Sequence, residues 1–330
     1  MLHLIALLVA ASTAVLIFAG GMVTSTGSGL AVPDWPNTYG WFMWTFPIEH
    51  WVGGIFYEHT HRLIASIVGF LIVVLAAWLW WSEPRAWVRR LGYVAVAAVV
   101  TQGLLGGLTV IFYLPDAISI AHASLAQIVF CLTITMAVAT SPGWKRAYGE
   151  GLAPDDRTLQ RTALATTALV YTQILIGATM RHTEAGLAIP DFPWAFGHVI
   201  PPHWDARIAI HFAHRVGALV VCVVTLATAG HVLYHHARRR PLSRAALLLL
   251  ALVAVQVTLG ALTVLSGRQH IINSLHVVTG ASVLATSLVL TLRAHRVRFA
   301  MDAGVSSTVS TTSSGNATRP SSFTPRETRA

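Results

Sequence analysis

The chain has 330 residues, of which 55% are hydrophobic and 11% charged, with a mean hydropathy of +0.63. A soluble domain carries about a quarter charged residues, so composition excludes an ordinary soluble fold and makes a polytopic membrane protein the default reading. The formal charge of +9 lies in short basic clusters between long apolar runs, which argues for topology signals and against nucleic acid as a partner.

Apolar stretches long enough to cross about 30 Å of hydrocarbon fall, in chain order, near 3–24, 58–81, 91–113, 117–140, 160–180, 208–233, 243–266 and 270–292. The expected fold is therefore an all-α integral membrane protein of eight transmembrane helices. The first stretch has no basic n-region and runs on through Gly20 and Gly21, so it is expected to remain as an uncleaved helix. Arg85, Arg89 and Arg90 lie in the second connection, Lys145, Arg146, Arg157 and Arg161 in or beside the fourth, Arg238, Arg239, Arg240 and Arg244 in the sixth, and Arg293, Arg296 and Arg298 after the last helix. The positive-inside rule then puts both termini in the cytoplasm and the odd-numbered connections outside. Cys131 and Cys222 each sit inside an apolar run and read as small buried hydrophobes, with no disulfide framework or zinc site. Residues 301–330, rich in Ser, Thr, Pro and Arg, are expected to be a disordered tail.

An internal repeat decides the architecture. Gly29-Leu30-Ala31-Val32-Pro33-Asp34-Trp35-Pro36 returns 157 residues later as Gly186-Leu187-Ala188-Ile189-Pro190-Asp191-Phe192-Pro193. His61-Arg62 returns as His214-Arg215, the stretch Thr101 to Val110 returns as Val255 to Val264, and His122 returns as His276. Each unit crosses the membrane an even number of times, so both enter it the same way and their symmetry axis lies along the membrane normal. The expectation is two tandem, parallel-related four-helix bundles, at 1–140 and 160–300, joined by a cytoplasmic linker at 141–159 and followed by the tail at 301–330.

Of sixteen histidines, His61, His122, His214 and His276 keep both residue type and place in the repeat. In each half one opens the second helix and the other opens the fourth, both from the outer side, so the two imidazoles share a depth. Facing imidazoles in a bundle core suit the iron of a heme, whose macrocycle is apolar and whose propionates reach the interface. Arg62 and Arg215 then read either as propionate partners or as side chains snorkelling at a helix end. The competing reading of the four histidines is a set of hydrogen-bonded core residues or a proton path; zinc fits poorly, because no cysteine lies near any of them. The remaining histidines, His211, His231, His235 and His236 among them, do not recur at matched positions and are expected mostly at interfaces and in loops.

The halves differ at Glu58, which stands one helical turn before His61, whereas the second half has His211 there. A carboxyl beside one site only can shuttle protons or stabilise a cation, which places the chemistry in the first half; the bland alternative is an interfacial glutamate bonded to His59 or Arg62. Asp34 and Asp191, set between prolines, read as turn residues. Trp41, Phe42, Trp44, Phe46 and Trp51 make an aromatic loop that suits the membrane interface or the cover of an apolar substrate.

Tyr57-Glu58-His59-Thr60-His61-Arg62, the Gly27-Ser28-Gly29-Leu30 loop, the four repeated histidines and the eight-helix duplication together resemble the heme A synthase family of cytochrome oxidase assembly, over about residues 5 to 295. The resemblance implies that His214 and His276 ligate a heme b cofactor beside Arg215. It implies that His61 and His122, with Arg62, bind substrate heme O, and that Glu58 is the catalytic residue. The implied reaction is an oxidation, in which a ring methyl of heme O is hydroxylated successively and loses water to become the formyl group of heme A. It also implies a multi-pass plasma-membrane protein with heme sites towards the outer side. Heme O and membrane lipids are the expected partners, with heme O synthase and an unidentified electron donor as further candidates and a homo-oligomer left open. Two departures stand out: residues 25–57 lack the cysteine pair many members carry, and Thr24 stands where many have an arginine, although the second half keeps Arg181. The rival readings are a diheme membrane cytochrome passing electrons between a quinol and a partner, and a transporter or heme chaperone of the same duplicated plan.

Overall fold

In hydrocarbon every backbone N–H and C=O must be satisfied within its own segment, and for these apolar runs the solution is the α-helix. The computed structural model describes residues 1–146 and 156–296. Among those residues the helices are α1 (Leu2–Ser25), α2 (Gly53–Ser82), α3 (Ala86–Ile111), α4 (Asp116–Thr140), the short α5 (Pro142–Arg146), α6 (Arg157–His182), α7 (Ala206–His235), α8 (Arg240–Leu265) and α9 (His270–Ala294). All except α5 are long and apolar enough to cross a membrane. The all-α expectation with eight spans holds: among the described residues there is no strand, only single bridges between Thr38 and Trp41 and between Ala195 and His198. The tail at 301–330, Arg298 and residues 147–155 of the expected linker lie outside the described residues.

Several helices start earlier than hydropathy alone indicates, α2 at Gly53 and α3 at Ala86, whereas α9 starts at His270 as expected. The side chains of Asp156, Asp205 and Gln269 accept hydrogen bonds from the N–H groups of Leu159, Ile208 and Ile272, capping α6, α7 and α9. The consequence for the repeated histidines is direct. His61 and His214 lie eight residues inside α2 and α7, about 12 Å along the axis, and His122 and His276 lie six residues inside α4 and α9, about 9 Å along. They sit two turns deep instead of opening their helices.

Helices α1 to α4 pack in a ring, α1 on α2, α2 on α3, α3 on α4 and α4 on α1, and α6 to α9 do the same. Each ring has its own apolar core, one built around Val9, Val68, Ile72, Leu75 and Met136, the other around Leu159, Leu249, Leu284 and Leu290. Between the rings α1 meets α9, α4 meets α6, and α4 meets α9, with Ile17, Phe130, Ala281 and Ala285 forming the seam. Helix α9 is the most enclosed of the eight.

Several basic residues flagged as topology signals cap helix ends, where terminal carbonyls attract cations. Arg85 donates to Glu83 and to the Ala139 carbonyl at the end of α4, Arg89 to the Glu83 and Pro84 carbonyls, and Arg296 to the Gly143 and Trp144 carbonyls.

Candidate functional site

Each repeated histidine is seated on a glycine of the neighbouring helix. A Cβ on Gly20 of α1 would lie 3.0 Å from His61 Cε1, and one on Gly177 of α6 would lie 2.9 Å from His214 Cε1. A Cβ on Gly106 of α3 would lie 3.1 Å from His122 Cε1, and one on Gly260 of α8 3.0 Å from His276 Cε1. Most real Cβ contacts are longer than these, so at each seat a larger residue would press on the imidazole. The glycines obey the repeat as the histidines do, 157 and 154 residues apart, and sequence reasoning passed over them although Gly106 and Gly260 lie inside the repeated block.

The rings of His214 and His276 lie with centroids 6.4 Å apart and planes inclined by 67°, one edge-on to the other. Two metal–imidazole bonds of about 2 Å each, with roughly 1 Å from each nitrogen to its ring centre, span about 6 Å, so the separation of the two rings is of the size that one shared metal requires. Gln173, lying over Gly217 of α7, brings its amide nitrogen to 3.0 Å from His214 Nδ1 and donates to the His214 carbonyl, and the Gln256 amide lies 3.3 Å from His276 Nε2. In the first ring Gln102 donates to the His122 carbonyl. The Nδ1 atoms of His61, His122 and His276 are buried without a hydrogen-bond partner, whereas the rings as a whole are only half-buried. Uncommitted ring nitrogens in an apolar setting are costly to leave alone.

The glutamate and the arginines belong to one loop clasp. Glu58 is buried, accepts the Val32 N–H at 2.8 Å and forms an ion pair with Arg62 at 2.6 Å. Arg62 also donates to the carbonyls of Val32, Asp34 and Asn37, and Arg215 donates to those of Ile189, Asp191 and Trp194. Both guanidinium groups therefore hold the Pro-Asp-aromatic-Pro loops, an arrangement that neither the snorkelling nor the propionate reading contained. Asp34 and Asp191 act as the turn residues they resembled: Asp34 accepts the N–H groups of Tyr39 and Gly40, and Asp191 those of Phe196 and Gly197. The Gly197 N–H in particular holds the Asp191 carboxyl below the usual carboxylate range.

His59, fully buried, contacts Thr38 Oγ1 through Nδ1 and carries Phe46 and Trp51 on its ring, so it anchors the aromatic loop. Trp41, Phe42 and Trp44 of the same loop stay exposed. Arg181 of α6 crosses to the other ring, donating to the Gly21 carbonyl and Ser25 Oγ of α1. Sequence reasoning also missed Asp156, His231 and His236, which meet at the far end of α7 from His214.

Eight spans and two glycine-seated histidine pairs define a multi-pass membrane protein that presents paired imidazoles inside its helix packing. The chain matches, over residues 3–288, the profile of the COX15-CtaA family, described as cytochrome oxidase assembly protein. It is 32% identical over 311 residues to a heme A synthase of Symbiobacterium thermophilum, covering 89% of this chain and 97% of the relative. It is 26% identical to a heme A synthase of Halalkalibacterium halodurans, over 83% and 90% of the two chains, and 27% identical to one of Geobacillus kaustophilus, over 85% and 88%. The chain belongs to the COX15-CtaA family of cytochrome oxidase assembly proteins, which holds the heme A synthases.

Proposed function

We propose that this chain is a heme A synthase, an oxidoreductase that converts a ring methyl of heme O to the formyl group of heme A by successive hydroxylations and loss of water. The observation that carries the proposal is the duplicated histidine pair, each ring on its own glycine, in a chain related along most of its length to proteins named heme A synthase. His61 and His122, with Arg62 supporting the loop above them, form the substrate site for heme O. His214 and His276, with Arg215, form the cofactor site, and their 6.4 Å gap and nitrogen donor set fit heme b. Bound there, heme b supplies one-electron redox chemistry.

Glu58 is assigned the catalytic role. It lies one turn from His61 on the same helix face, so carboxyl and imidazole address one site. Exchanging a hydrogen of the substrate methyl for a hydroxyl requires protons to be moved near the reacting carbon, and a carboxylate at that position can relay them, while the Val32 N–H and Arg62 hold it in place. The units 1–140 and 160–300 divide the labour between substrate and cofactor. The basic ends of α2, α4, α7 and α9 support cytoplasmic termini in a plasma membrane, with the histidine ends of the helices towards the outer side. An electron-transfer partner and heme O synthase complete the setting.

Expression with a heme O source, followed by chromatography of the extracted hemes, tests this. Formyl heme is expected from the wild type and not from Glu58→Ala; its absence from the wild type, or equal amounts from both, would overturn the assignment.

A further inference from the structure

We propose that Asp156, His231 and His236 form a binding site for a divalent metal ion of the zinc class, fastening the first turn of α6 to the last turn of α7. The site stands independently of the heme reading, because it lies 17 residues beyond His214 along α7, roughly 25 Å away by helix rise.

Residues five apart on a continuous helix point about 140° away from each other, so His231 and His236 would not normally share a ligand. Here α7 ends at His235, and His236 turns back as its C-cap with φ −128° and ψ 20°, its N–H held by the Val232 carbonyl. The turn brings both Nε2 atoms to 2.8 Å from the same oxygen, Asp156 Oδ2. The other carboxylate oxygen, Oδ1, accepts the Leu159 N–H at 2.9 Å, which fixes the orientation of the group. One atom from each of the three side chains thus lies within 4.8 Å of the others. Tetrahedral zinc with bonds of about 2.0–2.1 Å separates its ligands by roughly 3.3 Å, so a slight opening of the two contacts admits the ion.

The chemistry suits such an ion in three ways. Two imidazoles and a carboxylate are a zinc-class donor set. The last carbonyls of α7 place negative potential at the site, which offsets the positive end of α6 that Asp156 caps. The Leu159 N–H serves as the outer-shell contact that orients the carboxylate. His236 is buried, while His231 and Asp156 each keep 21% of their side-chain surface exposed, which leaves a path for entry and a fourth position for water.

Tag-free full-length protein, stripped with a chelator and titrated with Zn²⁺ against a chromophoric competitor, tests the site, with bound metal counted by elemental mass spectrometry. One zinc per chain is expected, lost in Asp156→Asn and in His236→Gln, with affinity falling beyond the roughly 10–100-fold that removal of an outer-shell partner costs. Co²⁺ is expected to show tetrahedral d–d absorption in the wild type and not in either variant. The His214→Ala/His276→Ala double variant is expected to keep its zinc. Should Asp156→Asn aggregate, His236→Gln, which leaves Asp156 in place, decides. A wild type that binds no zinc at micromolar free metal overturns the proposal, as does zinc that survives His236→Gln but disappears with His214 and His276.

Discussion

At both ends of the second helix of the repeat, the first half carries a carboxylate where the second half carries an imidazole. Glu58 stands where the second half has His211, and Glu83 where it has His236, each 153 residues on. The loop contact survives the exchange: the Val32 N–H donates to Glu58 Oε2, and the Ile189 N–H, at the matching loop position, donates to His211 Nδ1. The charge does not survive, since Arg62 pairs with Glu58 while Arg215 is given over to loop carbonyls. Holding the loop therefore does not require an acid, so the loop contact alone does not account for the carboxylate at Glu58.

The largest effect is expected from erasing that difference. Glu58→His rewrites the first half as the second; the loop contact is expected to persist while formyl-heme production falls by about 10²–10⁴-fold, the usual contribution of a positioned proton-transfer group. The reverse change, His211→Glu, is expected to leave production within a few-fold. Heme extraction and chromatography read both, and full activity in Glu58→His would strip the comparison of its functional meaning.

The opposite end of the helix tests stability. Glu83 is buried, bonded to Arg85 and within 3.5 Å of Lys145. Burial opposes its charge, yet the hydrogen bonds and charge of Arg85 prevail and hold its pKa below the ordinary 4.5. A carboxylate with a depressed folded pKa contributes stability that is complete above its unfolded pKa and is lost as pH falls through the folded one. Thermal unfolding in detergent is thus expected to weaken below about pH 4.5, and Glu83→Gln to flatten that dependence. At neutral pH the variant should lose up to about 3 kcal/mol, towards the lower end for breaking a buried pair. His236→Gln, in the metal-free protein, should cost about 1.5–3 kcal/mol, the range for a hydrogen bond to a charged group.

The glycine seats separate the halves by readout. Gly177→Ala forces a Cβ to 2.9 Å from His214 Cε1 and Gly20→Ala to 3.0 Å from His61 Cε1, so each is expected to cost about 1–3 kcal/mol through overpacking. Gly177→Ala should reduce the heme absorption of the purified protein, whereas Gly20→Ala should spare that absorption and lower heme O conversion. Gly103→Ala, whose Cβ meets nothing within 4 Å, is the control and should be neutral or stabilising by up to about 1 kcal/mol.

Which parts were legible in the sequence follows from which physics is local. The eight spans were legible because hydrocarbon demands long apolar helices. The four histidines were legible because a duplicated chain reveals what it repeats. The glycine seats obey the same offsets, yet a glycine in a membrane helix has many ordinary reasons to be there, so only the contact with the imidazole Cε1 singles it out. The clasp by Arg62 and Arg215 was not legible, because the carbonyls it uses belong to a loop whose path is set by tertiary packing. His236 was hidden for a related reason: it meets His231 only because α7 ends at His235, and helix ends are poorly marked where no proline or glycine stops the chain.

The last expected effect is a packing exchange that the repeat has already carried out. Trp35 lies on Gly107 of α3 so closely that a Cβ there would meet its ring at 2.6 Å. At the matching positions the second half has Phe192 and Ala261, a smaller ring and a larger partner. Gly107→Ala alone is expected to cost about 1–3 kcal/mol, because the ring must move or the helices must part. Trp35→Phe alone should cost about 1 kcal/mol or less, since the loop residue is 40% exposed. If the two halves solve one packing problem with different residue pairs, the double variant should recover part of the single-variant loss, with a coupling of about 0.5–3 kcal/mol in a double-mutant cycle read by thermal unfolding. Strict additivity would mean that Trp35 rests on α3 without depending on it, and the match between the two loops would then be one of sequence but not of packing.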